Sequence, residues 1–88
     1  MPRLSSRMDE FKDIAVEYID NTGVTLSQVR SSFLSLSNSE RRQAIGWTNS
    51  MASAASRGIT SVSPEEEPGL ISELRRARSL GIRMGRWV

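Results

Sequence analysis

Residues 24–40, VTLSQVRSSFLSLSNSE, decide the fold because they contain the starts of two helices. In a capping box, a Ser or Thr side chain accepts the N–H of the residue three positions later, whose Glu or Gln side chain accepts the N–H of the cap. Thr25 and Gln28 match this pattern, and so do Ser37 and Glu40. The stretch therefore predicts two successive helices with a short connection between them.

The apolar spacing around these starts predicts three helices. The first covers residues 7–20, follows a good cap residue, Ser6, and has apolar residues at intervals of three and four. The second covers about residues 26–36, and the third covers about residues 39–57 and ends at Gly58. The residues that give the first two helices their buried faces are Met8, Phe11, Ala15 and Tyr18, and Leu26, Val29 and Phe33.

The third helix has a predicted core stripe at Ala44, Trp47, Met51 and Ala54, which follow a three-four-three spacing. This register determines which side of the helix meets the other two. A charge at Met51 would then stand in the core and abolish folding.

A second surface of the third helix predicts contact with another helix or with another copy of the chain. Gly, Ser and Ala recur there at every fourth position, and such a ridge of small residues lets a second backbone come close. Ile45 and Ala52 point away from the core stripe, and a chain of 88 residues buries only a thin core. We therefore predict a homodimer. The residues assigned to dimer contact or helix packing are Ile45, Gly46, Ser50, Ala52 and Ala54.

The C-terminal part of the chain predicts a loop, a short helix and a tail. Residues 59–69, ITSVSPEEEPG, are rich in Ser, Pro and Glu and predict an acidic loop. A short fourth helix is expected from about Pro68 to Leu80, with Gly81 as its stop and a basic tail after it.

These elements predict an all-α fold, a small antiparallel bundle of three to four helices with an Arg-rich C-terminal tail. The organisation is a three-helix core at residues 1–58, the acidic loop at residues 59–69, and a short helix with the basic tail at residues 70–88. Together they form a single domain, because a chain of this length holds one core.

Composition argues against several classes of function. The chain has neither cysteine nor histidine, so it lacks thiolate and imidazole metal ligands and the commonest general base. We expect no enzyme activity, no metal and no cofactor. No apolar run approaches the roughly 18–20 residues of a membrane span, and the start of the chain lacks the apolar stretch of a signal peptide. We expect a soluble protein that is cytoplasmic or nuclear, or in a virion if viral.

The charges are segregated along the chain. The formal net charge is only +2, yet residues 59–69 carry three glutamates and no basic residue, whereas residues 70–88 carry five arginines and one glutamate. All basic residues except Lys12 are arginine, which binds phosphate and carboxylate through two parallel hydrogen bonds. Codon bias in a GC-rich or overlapping reading frame is the other explanation of this preference. The basic segment favours a polyanion or an acidic protein surface as partner.

Binding of RNA or DNA through phosphate contacts is the first functional expectation. The second and third helices loosely suggest a helix-turn-helix, whose second helix reads base edges with its N-terminal residues, here including Thr48. Sequence-independent contact with phosphates is the better expectation. Trp87 would either stack on a base or, as a tryptophan at this position more often does, dock on its own protein or on a partner. The candidate binding residues are Arg30, Arg41, Arg42, Asn49, Arg57, Arg75, Arg76, Arg78, Arg83, Arg86 and Trp87.

The alternative is a protein-interaction or assembly module, as in viral or phage structural and regulatory proteins. The basic tail would dock on an acidic protein surface with Trp87 as its anchor, since arginine and tryptophan are favoured at binding hot spots. Glu65–Glu67 or the acidic first helix could supply that surface, within one chain or across a dimer.

Overall fold

The structure, a computed structural model, describes residues 6–88, and these residues contain four α-helices and no strand. The all-α prediction is therefore confirmed. The largest helix contacts are those of α3 with α4 and of α1 with α2. The bounds of the helices are α1 Arg7–Ile19, α2 Leu26–Leu34, α3 Asn38–Ile59 and α4 Glu67–Trp87.

Both predicted capping boxes are confirmed. The Thr25 hydroxyl accepts the Gln28 N–H at 3.3 Å, and the Gln28 side chain accepts the Thr25 N–H at 2.8 Å. The Ser37 hydroxyl and the Glu40 carboxylate make the same exchange at 3.2 Å and 2.9 Å. Ser6 caps α1 through its side chain, as predicted. Local chemistry thus sets where three of the helices begin.

The second capping box also changes an ionisation. Hydrogen bonds from the Ser37 backbone N–H and then from the Ser37 hydroxyl lower the pKa of Glu40 below its ordinary value of 4.5. The Arg7 charge adds to this effect, and partial loss of water opposes it. The charged form of Glu40 is therefore the form that the folded α3 start prefers.

One aromatic ring from each helix meets in the core. Phe11 of α1 and Phe33 of α2 are fully buried, with ring centroids 6.0 Å apart. Trp47 of α3 lies edge-on to Phe11 at 6.2 Å, and Trp87 of α4 lies 5.7 Å from Phe33. Tilted and edge-on pairs at these distances are favourable beyond the area that they bury. The four rings therefore hold the two helix pairs together.

The predicted core stripe of α3 is partly wrong. Ala44 is buried as predicted, but the stripe continues through Thr48 and Ala52 rather than through Met51, which is half-buried, and Ala54, which is exposed. The reason is α4, which lies along this side of α3. The buried Thr48 hydroxyl donates to the Ala44 carbonyl at 2.9 Å, so it is tolerated in the core.

The surface predicted for a dimer is also altered. Ala52 is only 7% exposed and packs in the core, and Ile45 is half-buried against it. Within residues 6–88, the ridge positions Gly46, Ser50 and Ala54 are exposed and pack no helix, whereas Gly58, the next position of the ridge, is half-buried beside Leu70 of α4. The homodimer stays a prediction, but Ala52 is not available to it.

The predicted stop at Gly81 is wrong, since α4 continues as a helix to Trp87. The apolar side of α4 does not end at Gly81, and Met84 extends it into the core with no exposure. A Cβ on Gly81 would lie 2.7 Å from Asn49 Oδ1, so α4 lies close to α3 at Gly81. The acidic loop is shorter than predicted, because α3 includes Ile59 and α4 begins at Glu67.

Candidate functional site

Three arginines serve the packing of the chain itself. Arg41 donates to the carbonyl of Leu34, the last residue of α2, at 2.7 Å, and Arg76 donates to the carbonyl of Ile19, the last residue of α1. Arg7 donates to the Ser35 carbonyl at 3.1 Å. The last carbonyls of a helix lack partners within it, and a guanidinium there satisfies them and complements the helix dipole. These three guanidiniums therefore join helices, and their hydrogen bonds are made within the chain rather than to a ligand.

The other arginines of residues 6–88 are exposed and have no hydrogen bond or ion pair within that part of the chain. The N–H groups of these guanidiniums can therefore donate hydrogen bonds to water or to a binding partner. They are Arg30, Arg42, Arg57, Arg75, Arg78, Arg83 and Arg86.

Four of these exposed arginines lie along the outer side of α4. Arg75, Arg78, Arg83 and Arg86 line a shallow groove of about 380 Å³ together with Ser79 and the exposed Ile82. Their spacings of three, five and three residues keep them on the side opposite the buried face of the helix. At 1.5 Å per residue, the row is about 16 Å long.

The row continues onto α3 through Arg78. A second groove, of about 460 Å³, is bordered by Arg78 and by Arg57 near the end of α3. Its remaining lining is mostly short and polar and includes Asn49, Ser53 and Ser56. This groove therefore offers hydroxyl and amide groups beside two guanidiniums.

The row continues onto α2 through Arg83. A third groove, of about 250 Å³, is bordered by Arg83 and Arg30 and is also lined by Leu26, Ser27 and Trp87. Trp87 is half-buried, because it packs on Phe33, so it is not the free anchor that a flexible tail would carry.

The three grooves share arginines and so form one continuous surface over α2, α3 and α4. No Asp or Glu side chain lines any of them. Like charges placed side by side without counterions raise the local potential, which attracts an anionic partner. We call this the arginine surface, and its members are Arg30, Arg57, Arg75, Arg78, Arg83 and Arg86.

Some predicted binding residues lie elsewhere. Thr48 is fully buried and so cannot read a base edge. Arg41 and Arg76 are held by helix ends, and Arg42 is exposed but lines none of the three grooves. Asn49, by contrast, lines the α3–α4 groove. The face of α3 proposed to read bases is thus partly used for packing.

Ile82 is the residue of this surface that sequence reasoning missed. Its side chain is 63% exposed in the middle of the α4 row. Its position four residues after Arg78 would have revealed it, had the helix been extended past Gly81. An exposed large apolar residue among charges is a feature of contact surfaces.

The described residues hold no group of three or more His, Cys, Asp or Glu side chains that could bind a metal ion. None of the helices within residues 6–88 is long and apolar enough to cross a membrane. No protein-family model, no curated protein and no solved structure matches this chain. The chemistry of the arginine surface is therefore the guide to function.

Proposed function

We propose that the protein binds nucleic acid through the arginine surface, by contacts to phosphates rather than to base edges. The single observation that supports this proposal is the continuity of six exposed guanidiniums over three helices, which have no ion pair or hydrogen bond within residues 6–88 and no carboxylate lining the grooves between them. Nucleic acid presents phosphates as a repeated row of negative charge, and guanidiniums match phosphate through paired hydrogen bonds.

The length of the surface also suits a polyanion better than a single small anion. The α4 row alone extends about 16 Å, and duplex DNA carries about one charge per 1.7 Å of its axis. Several arginines can thus contact phosphates of one strand or duplex at the same time. The affinity then depends on released counterions and falls as salt increases.

Fluorescence anisotropy of labelled single-stranded and duplex oligonucleotides at about 50 and 200 mM salt tests the proposal. We expect micromolar or tighter binding at the lower salt concentration, with much weaker binding at the higher one. Changing Arg75, Arg78, Arg83 and Arg86 to Gln should lower the slope of log affinity against log salt by about 1 for each phosphate that the variant can no longer bind. An unchanged slope would refute the proposal.

Three glutamates at the end of the acidic loop and the start of α4 supply a matched control for net charge. The fourfold arginine variant lowers the net charge by four. Changing the exposed Glu65, Glu66 and Glu67 to Gln in that variant raises the net charge by three, because three negative charges are removed outside the arginine surface. If the arginine surface binds phosphates directly, this second change does not restore the salt slope. Restoration of both affinity and slope would mean that net charge alone explains binding.

The exposed Ile82 favours a second candidate, a protein-interaction or assembly module. Binding to phosphates should be nearly unchanged in Ile82→Ser, because an exposed side chain at this position contributes no charge. An acidic protein surface would lose an apolar contact at the centre of the interface, where hot spots concentrate. Light scattering at micromolar concentrations, on the unaltered chain and on Ile82→Ser, tests the predicted homodimer. If both are monomers, the interaction module does not act as a homodimer.

A further inference from the structure

The groove between α2 and the end of α4 differs from the other two in its lining. It is lined by two arginines, Arg30 and Arg83, by the apolar side chains of Leu26 and Trp87, and by the short polar side chain of Ser27. No aromatic residue lines either of the other grooves. Guanidiniums suit a phosphate, whereas an aromatic ring beside an aliphatic side chain suits a flat base.

Trp87 is held in place before any ligand arrives. Its ring is tilted by 57° against the ring of Phe33, and Phe33 is fully buried. Leu26, which shares the groove, also packs against the core. Side chains that are already ordered lose little conformational freedom on binding, so stacking there costs less entropy than on a mobile tail.

Resting on the proposed function, we infer that this groove is a subsite for one nucleotide of a single strand. Arg30 and Arg83 bind the phosphate, and the base stacks on Trp87 beside Leu26. A base in a duplex is paired and stacked on its neighbours, so it must be unpaired and unstacked before it can enter the groove, which weakens binding of a duplex. The subsite therefore makes the protein prefer single-stranded to duplex nucleic acid.

Three labelled probes of equal length separate the subsite from phosphate binding in the unaltered chain. They are an oligothymidylate, an abasic strand with the same phosphates but no bases, and a duplex. Since stacking of a base on an aromatic ring contributes about 5- to 150-fold in affinity, we expect oligothymidylate to bind tighter than the abasic strand by that factor. Changing Trp47 to Phe leaves Trp87 as the only tryptophan, whose fluorescence oligothymidylate should quench.

Substitutions then assign the effect to the groove. Trp87→Leu should remove the advantage of oligothymidylate over the abasic strand, whereas Trp87→Phe keeps a ring and most of the advantage. Arg78→Gln, which lies outside this groove, should weaken binding of both strands equally. An unchanged affinity of Trp87→Leu for the duplex shows that this variant is folded. If the variant unfolds, the comparison of oligothymidylate with the abasic strand on the unaltered chain tests the subsite instead.

The outcomes separate the subsite from the proposed function. Equal affinity for oligothymidylate and the abasic strand, without quenching of Trp87, overturns the subsite and leaves phosphate binding intact. Failure of all three probes to bind at about 50 mM salt overturns both. Tighter binding of the duplex than of oligothymidylate also contradicts the subsite.

Discussion

Replacing Gly81 with alanine measures how closely α4 approaches α3. Alanine is favoured over glycine in a helix interior by about 0.8–1.0 kcal/mol. A Cβ at this position would, however, lie 2.7 Å from Asn49 Oδ1. Asn49 is exposed, so its amide can rotate away, at a cost of about 0.5–1.5 kcal/mol if it leaves its preferred rotamer. The two effects nearly cancel, and we expect Gly81→Ala to change the free energy of unfolding by less than about 0.5 kcal/mol.

A double-mutant cycle with Asn49→Ala separates the two effects. Without the Asn49 amide, the nearest other atom to the new Cβ is Thr48 Cγ2 at 3.8 Å, an ordinary contact. Gly81→Ala should then stabilise the fold by the full amount of about 1 kcal/mol. The coupling between the two sites is therefore about 0.5–1.5 kcal/mol, within the range that is typical for residues in contact. Urea denaturation followed by far-UV circular dichroism measures each corner of the cycle.

Gly85→Ala is the matched control, because its new Cβ would meet no atom of residues 6–88 within 4 Å other than those of its adjacent residues and its own helix backbone. It should stabilise the fold by about 0.5–1 kcal/mol without any contribution from Asn49. A shift of 1 kcal/mol corresponds to about 4–8 °C in the melting temperature of a chain of this size. If the residues after Leu80 formed a tail, neither glycine substitution would change stability, and that result would refute a helix that extends to Trp87.

Three further sets of substitutions test the core register, the α3 start and the roles of the arginines. Ala52→Asp should prevent folding, because it buries a charge without a partner, whereas Met51→Asp keeps the charge near water and costs only about 1–2 kcal/mol in a thermal melt. Glu40→Gln keeps the capping hydrogen bonds but removes an ionisation whose pKa is lowered in the folded chain. The unaltered protein should therefore lose more stability than the variant as the pH falls below about 4.5 in urea titrations. Arg76→Gln should lose about 1–2 kcal/mol of stability with little change in nucleic-acid affinity, and Arg78→Gln should do the opposite in melts and anisotropy titrations.

Each of these tests has a clear contrary result. Equal destabilisation by aspartate at positions 51 and 52 would mean that the register of α3 is wrong. The charged form of Glu40 stabilises the fold only above its pKa. If the free energy of unfolding depends on pH in the same way for Glu40→Gln and for the unaltered chain, the ionisation of Glu40 does not contribute to stability. Equal loss of affinity from Arg76→Gln and Arg78→Gln would assign binding to total charge rather than to the arginine surface.

The sequence predicted the helix starts because their determinants are local. Ser6, Thr25 and Ser37 need only a partner three residues later, and that spacing is visible in the chain. The stop at Gly81 failed for the opposite reason. Glycine commonly ends a helix, but here the helix continues because Met84, three residues later, is buried in the core and accepts a hydrogen bond from Thr48 of α3. That contact joins residues far apart in sequence, so no local pattern contains it.

The register of α3 failed for a related reason. Ala44, Trp47, Met51 and Ala54 form a valid apolar stripe, but α4 covers a neighbouring side of the helix. Thr48 escaped prediction because a hydroxyl is polar in sequence and satisfied in the fold by the carbonyl four residues earlier. Alanines lie on both of these adjacent sides of α3, so the pattern of apolar residues alone does not show which side is buried. The position of α4 determines it.

The candidate site was predicted by residue type but not by arrangement. The sequence identified arginine as the binding residue, yet it could not distinguish the roles of two nearby arginines. Arg76 donates to the last carbonyl of α1, whereas Arg78, two positions later, lines two of the grooves. Their different roles follow from the turn of the helix, since two residues rotate a side chain by more than half a turn. Because α4 is a helix to its end, the charges that a tail would scatter are fixed in one row, and Arg83 and Arg86 complement the negative end of the helix dipole. The same continuation carries Trp87 back against Phe33, which is why the end of the chain can form a groove with α2 rather than an arm.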